Sequence, residues 1–179
     1  MSAEPAAGGL DFHGLYKAEF SYVVRTLRRL GVPPSSLEDV SQDVFVAIYR
    51  HIADYDPARP LRPWLFGFAF RIASDHRKLA RHRYEAHEPL AEGDVPADAD
   101  GSPEALLEDE RKRRAVLKAL DAMELAKRDL VVMHDLEGMP VPEIAAMLDI
   151  PLNTAYSRLR LARAEFEKHL EKTLGGLRG

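Results

Sequence analysis

Apolar residues recur along this chain at intervals of three and four, the period of one helix face. From Phe12 to Leu30 the stripe is Leu15, Phe20, Val23, Val24, Leu27 and Leu30. The residues Gly31, Val32, Pro33 and Pro34 stop it, and Ser35 or Ser36 is placed to cap a second helix with Glu38 and Asp39 in its first turn. That helix carries Leu37, Val40, Val44 and Ile48 on one face, with Phe45 beside it. Asp54 to Pro63 holds three prolines and reads as a loop. A third long helix is predicted from Trp64 to about Tyr84, apolar first and basic later. The C-terminal part predicts helices over Glu104–Asp121, Leu125–Leu136, Val141–Leu148 and Leu152–Leu174. No alternating strand pattern and no internal repeat is found, so the expected fold is all-α.

The stretch from Glu85 through Asp100 to Pro103 interrupts this regularity. It has three prolines, two glycines and few large apolar residues, too little to offset chain entropy by burial. It reads as a flexible acidic linker over 85–103 between two small helical domains, 10–84 and 104–174. Ser102 as N-cap and Pro103 at the first position then open the next helix.

Charge supports this division. The chain carries a net charge of −4, which at first sight argues against nucleic acid. By segment, residues 1–84 carry +3, residues 85–110 carry −10 and residues 111–179 carry +3. Two mildly basic flanks surround an acidic strip, so the total excludes nothing. There is no cysteine, hence no disulfide framework or thiolate metal site, which suits a cytoplasmic protein. No apolar run reaches the roughly 20 residues needed to cross a bilayer, and no membrane insertion is expected. Met1 to Leu10 lacks the basic start and apolar core of a secretory signal.

The strongest motif lies at 138–166. Gly138 suits a left-handed helix end. Pro142 and Glu143 suit the first turn of a short helix whose inner face is Ile144, Ala145 and Leu148, with Ala145 small enough for a tight crossing. Asp149, Ile150 and Pro151 make a turn, and Asn153 or Thr154 caps a long second helix. Its inner stripe is Ala155, Leu159, Ala162 and Phe166; its opposite face presents Asn153, Tyr156, Ser157, Arg160 and Arg163, with Arg158 to one side. This is a helix-turn-helix, whose second helix enters the major groove, where arginine reads guanine edges and Ser, Asn and Tyr touch bases or phosphates. The same residues also suit the solvated face of an ordinary helical hairpin.

Both halves together resemble a known family. The run Leu37–Phe45, then Trp64, Leu65 and Phe66, then Asp75 to Lys78, Arg128, Glu137 with Gly138, Glu143 to Ala145, and Thr154, Ser157 and Arg158 look like an extracytoplasmic-function (ECF) sigma factor. Such proteins are two-domain promoter-recognition subunits of bacterial RNA polymerase. The resemblance covers about Phe12–Arg83 and Arg114–Leu170. It implies that Asp39, Gln42, Asp43 and Phe45 dock on the clamp of the polymerase β′ subunit. It implies that Tyr55, Arg59 and Arg62 bind the minus-10 promoter element, where a flipped base needs stacking and phosphate neutralisation. Arg71, Arg77 and Lys78, with Arg81 and Arg83 beyond them, follow along the third helix and could track phosphates. Trp64 is read as packing between helices.

The family's minus-35 contacts map onto Arg128, Asn153, Thr154, Tyr156, Ser157, Arg158, Arg160 and Arg163. The acidic linker is expected to thread near the polymerase active-centre cleft, and a separate anti-sigma factor is an expected partner beside core polymerase and promoter DNA. Arg71 stands where the family often has asparagine, Glu124 where proline often opens a helix, and Tyr156 and Leu161 where cations are frequent. The minus-35 face is thus less basic than usual.

No metal, cofactor or enzymatic activity is expected. The seven histidines make no HExxH pair, and there is no glycine-rich phosphate loop or nucleophile elbow. The alternatives are a stand-alone helix-turn-helix regulator, which has no use for the Asp39–Phe45 helix, and a helical interaction protein that binds no DNA.

Overall fold

The computed structural model describes residues 11–83 and 103–175, with the side chains of 81–83 and 103–107 left out of account. The expected linker, apart from Pro103, and the expected Ser102 cap lie outside the described residues. All described elements are helical: α1 (Phe12–Arg29), α2 (Leu37–His51), α3 (Leu61–Arg83), α4 (Pro103–Asp121), α5 (Leu125–Val131), α6 (Val141–Leu148) and α7 (Leu152–Gly175). They form two compact units, one built on α1–α3 and one on α4–α7.

In the first unit, α1 starts because Asp11 caps it. The Asp11 carboxylate accepts the backbone N–H of His13 at 3.2 Å and of Gly14 at 2.8 Å, and its carbonyl accepts Leu15 N–H at 2.9 Å. Gly31, at φ +87°, ends the helix, and Val32 N–H closes back on the Leu27 carbonyl at 3.0 Å. A 3₁₀ turn at Pro34–Ser36 leads into α2. Ser36 occupies the N-cap of α2, but its hydroxyl makes no capping bond. Val40, Val44 and Ile48 of α2 are buried with Leu65, Phe66, Ala69 and Ala73 of α3. A second 3₁₀ turn, Ile52–Asp54, shortens the expected loop from one end. α3 shortens it from the other, starting at Leu61 rather than Trp64. Pro63 is tolerated there because the first turn of a helix has no partner for its N–H groups.

The second unit is arranged around α7, onto which α4, α5 and α6 all pack. Ala155 and Ala162 of α7 are completely buried and Leu159 nearly so, alongside Ala119, Leu120, Val131, Met133 and Ile144. Expected Leu125–Leu136 is not one regular helix: α5 gives way to a π-helical turn over Val132–Leu136, where Glu137 N–H reaches the Val132 carbonyl at 3.0 Å. Gly138 follows at φ +68° with open space around it, so its backbone conformation alone calls for glycine.

α6 ends in a Schellman motif. Asp149 takes the left-handed position at φ 51°, its N–H meets the Ala146 carbonyl at 3.3 Å, and Ile150 N–H meets the Ala145 carbonyl at 3.0 Å. α7 then begins two or three residues earlier than a cap at Asn153 or Thr154 allows. The Pro151 carbonyl accepts Ala155 N–H at 3.0 Å, so Pro151 is the cap and Asn153 and Thr154 lie inside the first turn.

Candidate polymerase and nucleic-acid interfaces

On α2 the inner stripe Val40, Ser41, Val44, Phe45 and Ile48 leaves Asp39, Gln42 and Asp43 exposed in a neighbouring row. Continuing that row at helical spacing adds Val46, Tyr49 and Arg50, all exposed, with Tyr49 at 62%. Sequence reasoning missed Val46 and Tyr49, although their exposure on an otherwise polar face is what a docking surface needs. Phe45 corrects the expectation in the other direction. It is only 4% exposed, its ring 4.6 Å from that of Tyr16 and within 6.5 Å of Phe12 and Phe20. It lies on the inner stripe, buried beneath the exposed row.

The Tyr55–Arg59 segment, within the expected loop, is tied by local hydrogen bonds. Tyr55 Oη donates to the Arg59 carbonyl at 2.6 Å. Arg59 N–H donates to the Asp56 carbonyl at 3.0 Å, and the Asp56 carboxylate accepts Ala58 N–H at 3.0 Å. The half-buried Tyr55 ring lies 5.0 Å from Trp64, which in turn meets Phe68 edge-on at 5.0 Å. Trp64 is half-buried, and these ring contacts are with the turn and with its own helix rather than with a second helix.

The cations of this unit divide. Arg59 is 82% exposed, with Asp56 only 3.7 Å away. Arg62 is engaged: its Nε donates to Glu19 at 3.2 Å and its guanidinium lies 5.0 Å from the centre of the Tyr22 ring, tying the start of α3 to α1. Arg71 and Lys78 are exposed on one face of α3 with Asp75 between them, 3.5 Å from Lys78. Arg77 points to a different side, half-buried, and donates to Ser74 Oγ at 3.1 Å. The side chains of Arg81 and Arg83 lie outside the described residues.

In the second unit, Asn153, Tyr156, Ser157, Arg158 and Arg160 are exposed on α7, with Tyr156 at 53% and Thr154 half-buried. Ser157 Oγ donates to the Thr154 carbonyl at 3.0 Å. Two of the expected residues are paired within the unit. Arg128 pairs with Asp121 at 2.8 Å on α4. Arg163 is gripped by Asp135, which takes its Nε at 3.0 Å and also binds Nη2. On the other flank of α7, Lys127 reaches Glu165 at 2.5 Å. The Glu165 hydrogen bond raises the Lys127 ammonium above its ordinary value, and the same bond lowers the Glu165 carboxyl. Among the described residues no group of three or more His, Asp or Glu side chains is placed to hold a metal, and no described helix is long and apolar enough to cross a membrane.

Two family models match the chain: sigma-70 region 2 over residues 15–83 and sigma-70 region 4 over residues 113–166. The first spans α1–α3, with the α2 face and the Tyr55–Arg59 turn. The second runs from within α4 through the helix-turn-helix.

The chain belongs to the ECF group of the sigma-70 family.

As a sigma factor it is similar to the RNA polymerase sigma factor CnrH of Cupriavidus metallidurans, 27% identical over 177 residues that cover 96% of this chain and 93% of that one. NccH of Alcaligenes xylosoxydans xylosoxydans is also 27% identical, over 153 residues, 84% of this chain and 82% of the relative. The ECF sigma factor SigE of Mycolicibacterium smegmatis is 32% identical over 151 residues, 84% of this chain and 58% of that longer protein. Among solved structures, CnrH in complex with the cytosolic domain of CnrY aligns with a TM-score of 0.56 at 27% identity, covering 90% of this chain and 88% of that one. The sigma factor RpoE from Bartonella quintana, in complex with the anti-sigma factor NepR, shares the fold at a TM-score of 0.60 and 20% identity, covering 87% and 96%. This sigma factor therefore works in transcription initiation with RNA polymerase and promoter DNA.

Proposed function

We propose that this sigma factor grips its promoter at two points from two domains, residues 10–84 and 104–174, held together by the acidic tether 85–103. The α2 face formed by Asp39, Gln42, Asp43, Val46 and Tyr49 docks on the clamp of the polymerase β′ subunit. What supports this is a row of acids and amides beside two exposed apolar side chains, a surface able to receive basic groups while burying some apolar area. The Tyr55–Arg59 turn and the exposed row Arg71 and Lys78 of α3 engage the minus-10 element. Asn153, Tyr156, Ser157, Arg158 and Arg160 read the minus-35 element in the major groove. The observation that carries the reading is the α7 outer face, polar and cationic through two turns while its inner face is buried alanine and leucine.

The protein acts by positioning polymerase, with no chemistry of its own, and does so in the cytoplasm. Two relatives of known structure were captured with a partner, CnrH with CnrY and RpoE with the anti-sigma factor NepR. They support an anti-sigma factor as the partner that holds this chain inactive. Size-exclusion chromatography with purified core polymerase tests the docking half. A stoichiometric complex that disappears when Asp39 and Asp43 are both changed to lysine is expected; a chain that elutes alone, or a double variant that still binds, refutes it.

A further inference from the structure

Two ion pairs reach α7 from the segment that precedes the helix-turn-helix, and they land on opposite flanks. Arg163 and Glu165 are two residues apart, hence about 200° apart around the helix axis. Asp135 takes the first and Lys127 the second. The buried stripe Ala155, Leu159 and Ala162 lies between the two flanks. Two of those three side chains are single methyl groups, which interlock little with neighbouring helices and resist rotation weakly. Yet rotation matters here. A group about 6 Å from the axis moves about 2 Å when the helix rolls by about 20°, far more than a base-edge hydrogen bond tolerates.

We propose that these two pairs brace the roll of α7, and that Asp135 and Arg163 are positioning residues for promoter recognition rather than DNA contacts. This rests on the reading of α7 as the minus-35 helix. The two pairs contribute unequally. Asp135 and Arg163 meet through a planar guanidinium fork, which fixes direction as well as distance. Lys127 offers a single point of charge on a flexible stem and mainly holds distance. The π-helical turn gives Asp135 its direction. Asp135 lies within that turn, whose wider winding turns the backbone less per residue than an α-helix does, so an uninterrupted α-helix over 125–136 aims Asp135 elsewhere. The irregular turn and the arginine fork are parts of one device. The consequence is a division of labour on α7, in which Arg158 and Arg160 supply the cations for DNA.

The test uses holoenzyme assembled from core polymerase and the full chain. The wild type first enriches duplexes from a pool randomised in the upstream promoter region. If no upstream element is enriched while a downstream one is, the minus-35 reading of α7 fails and the brace falls with it. On an enriched duplex, Arg163→Gln and Asp135→Asn are each expected to weaken binding about tenfold, and the double variant no more than either single one. The slope of log affinity against log salt stays unchanged, because no phosphate contact is lost. The exchange Asp135→Arg with Arg163→Asp is expected to return binding to within about threefold of wild type. It also keeps the test sound if a single substitution unfolds the domain, since it rebuilds the pair. The opposite result overturns the brace with the minus-35 reading intact: Arg163→Gln lowers the slope by about 0.9, Asp135→Asn tightens binding by releasing a phosphate-binding cation, and the exchange binds no better than the single variants.

Discussion

In the proposed reading each of the two units presents a few cations and aromatics to DNA, and they are built of different materials. The first is shaped by rings. Phe12, Tyr16, Phe20, Phe45 and Tyr49 gather between α1 and α2, and Tyr55, Trp64 and Phe68 line the start of α3. The second has no such cluster among its described residues. It draws α7 against its neighbours with small buried residues and fixes it with ion pairs, Asp135 with Arg163 and Lys127 with Glu165. Aromatic rings suit a single unpaired base, which stacks on them. A helix that reads a duplex needs orientation more than a pocket, and paired charges on two flanks supply it. The difference predicts that the two proposed DNA faces respond to different perturbations: the first to cavities, the second to charge.

The largest expected effect comes from breaking the aromatic side of the comparison. Phe45→Ala removes a buried ring beneath the docking face and is expected to cost about 3–5 kcal/mol, read as the earlier loss of the first unit's transition in urea. Gln42→Ala on the exposed row is expected to change stability by less than about 0.5 kcal/mol while weakening polymerase binding. Similar stability losses for both contradict the separation between support and surface.

A smaller effect is expected at the turn before α6. Gly138→Ala places a side chain in a left-handed conformation with nothing nearby to clash, so the cost is the backbone penalty alone, about 1–2 kcal/mol in the second unit's melting. A cost near zero places the backbone outside the left-handed region.

The smallest effect sharpens the charged side. Glu165→Gln removes the carboxylate charge that pairs with Lys127 and leaves a weaker, neutral amide acceptor in its place. Because that bond holds the Glu165 carboxyl below its ordinary value of 4.5, its stabilisation is present above that value and is lost as pH falls through the lowered one. The variant should therefore be less stable than wild type at neutral pH, by under about 1 kcal/mol since the pair is partly solvated. The gap should close as pH falls below that lowered value. A gap that persists in acid assigns the loss to packing rather than charge.

Much of the fold was legible because helices with one buried face leave a periodic trace. α6 was expected at Val141–Leu148 and is found there. What escaped was local exception and tertiary partnership. Pro63 reads as a loop residue yet sits in the first turn of α3. Pro151, not Asn153 or Thr154, caps α7, because its carbonyl is what the cap position requires. The π-helical turn leaves no periodic signature, since one inserted residue shifts an apolar stripe by about 100° without erasing it. Arg163 and Arg62 look free along the sequence, while Asp135 lies 28 residues from the first and Glu19 lies 43 from the second. Phe45 follows directly on Val44, and side-by-side apolar residues do not declare which one faces out. The fold needed only the pattern along each helix; the sites needed to know what each helix lies against.

The most direct test of the two-point grip is footprinting of the holoenzyme on an enriched promoter duplex, comparing wild type with Arg160→Ala and Tyr55→Ala. The expected result is two protected patches, with Arg160→Ala thinning only the upstream one and Tyr55→Ala only the downstream one. A single protected patch, or either substitution erasing both patches alike, contradicts it.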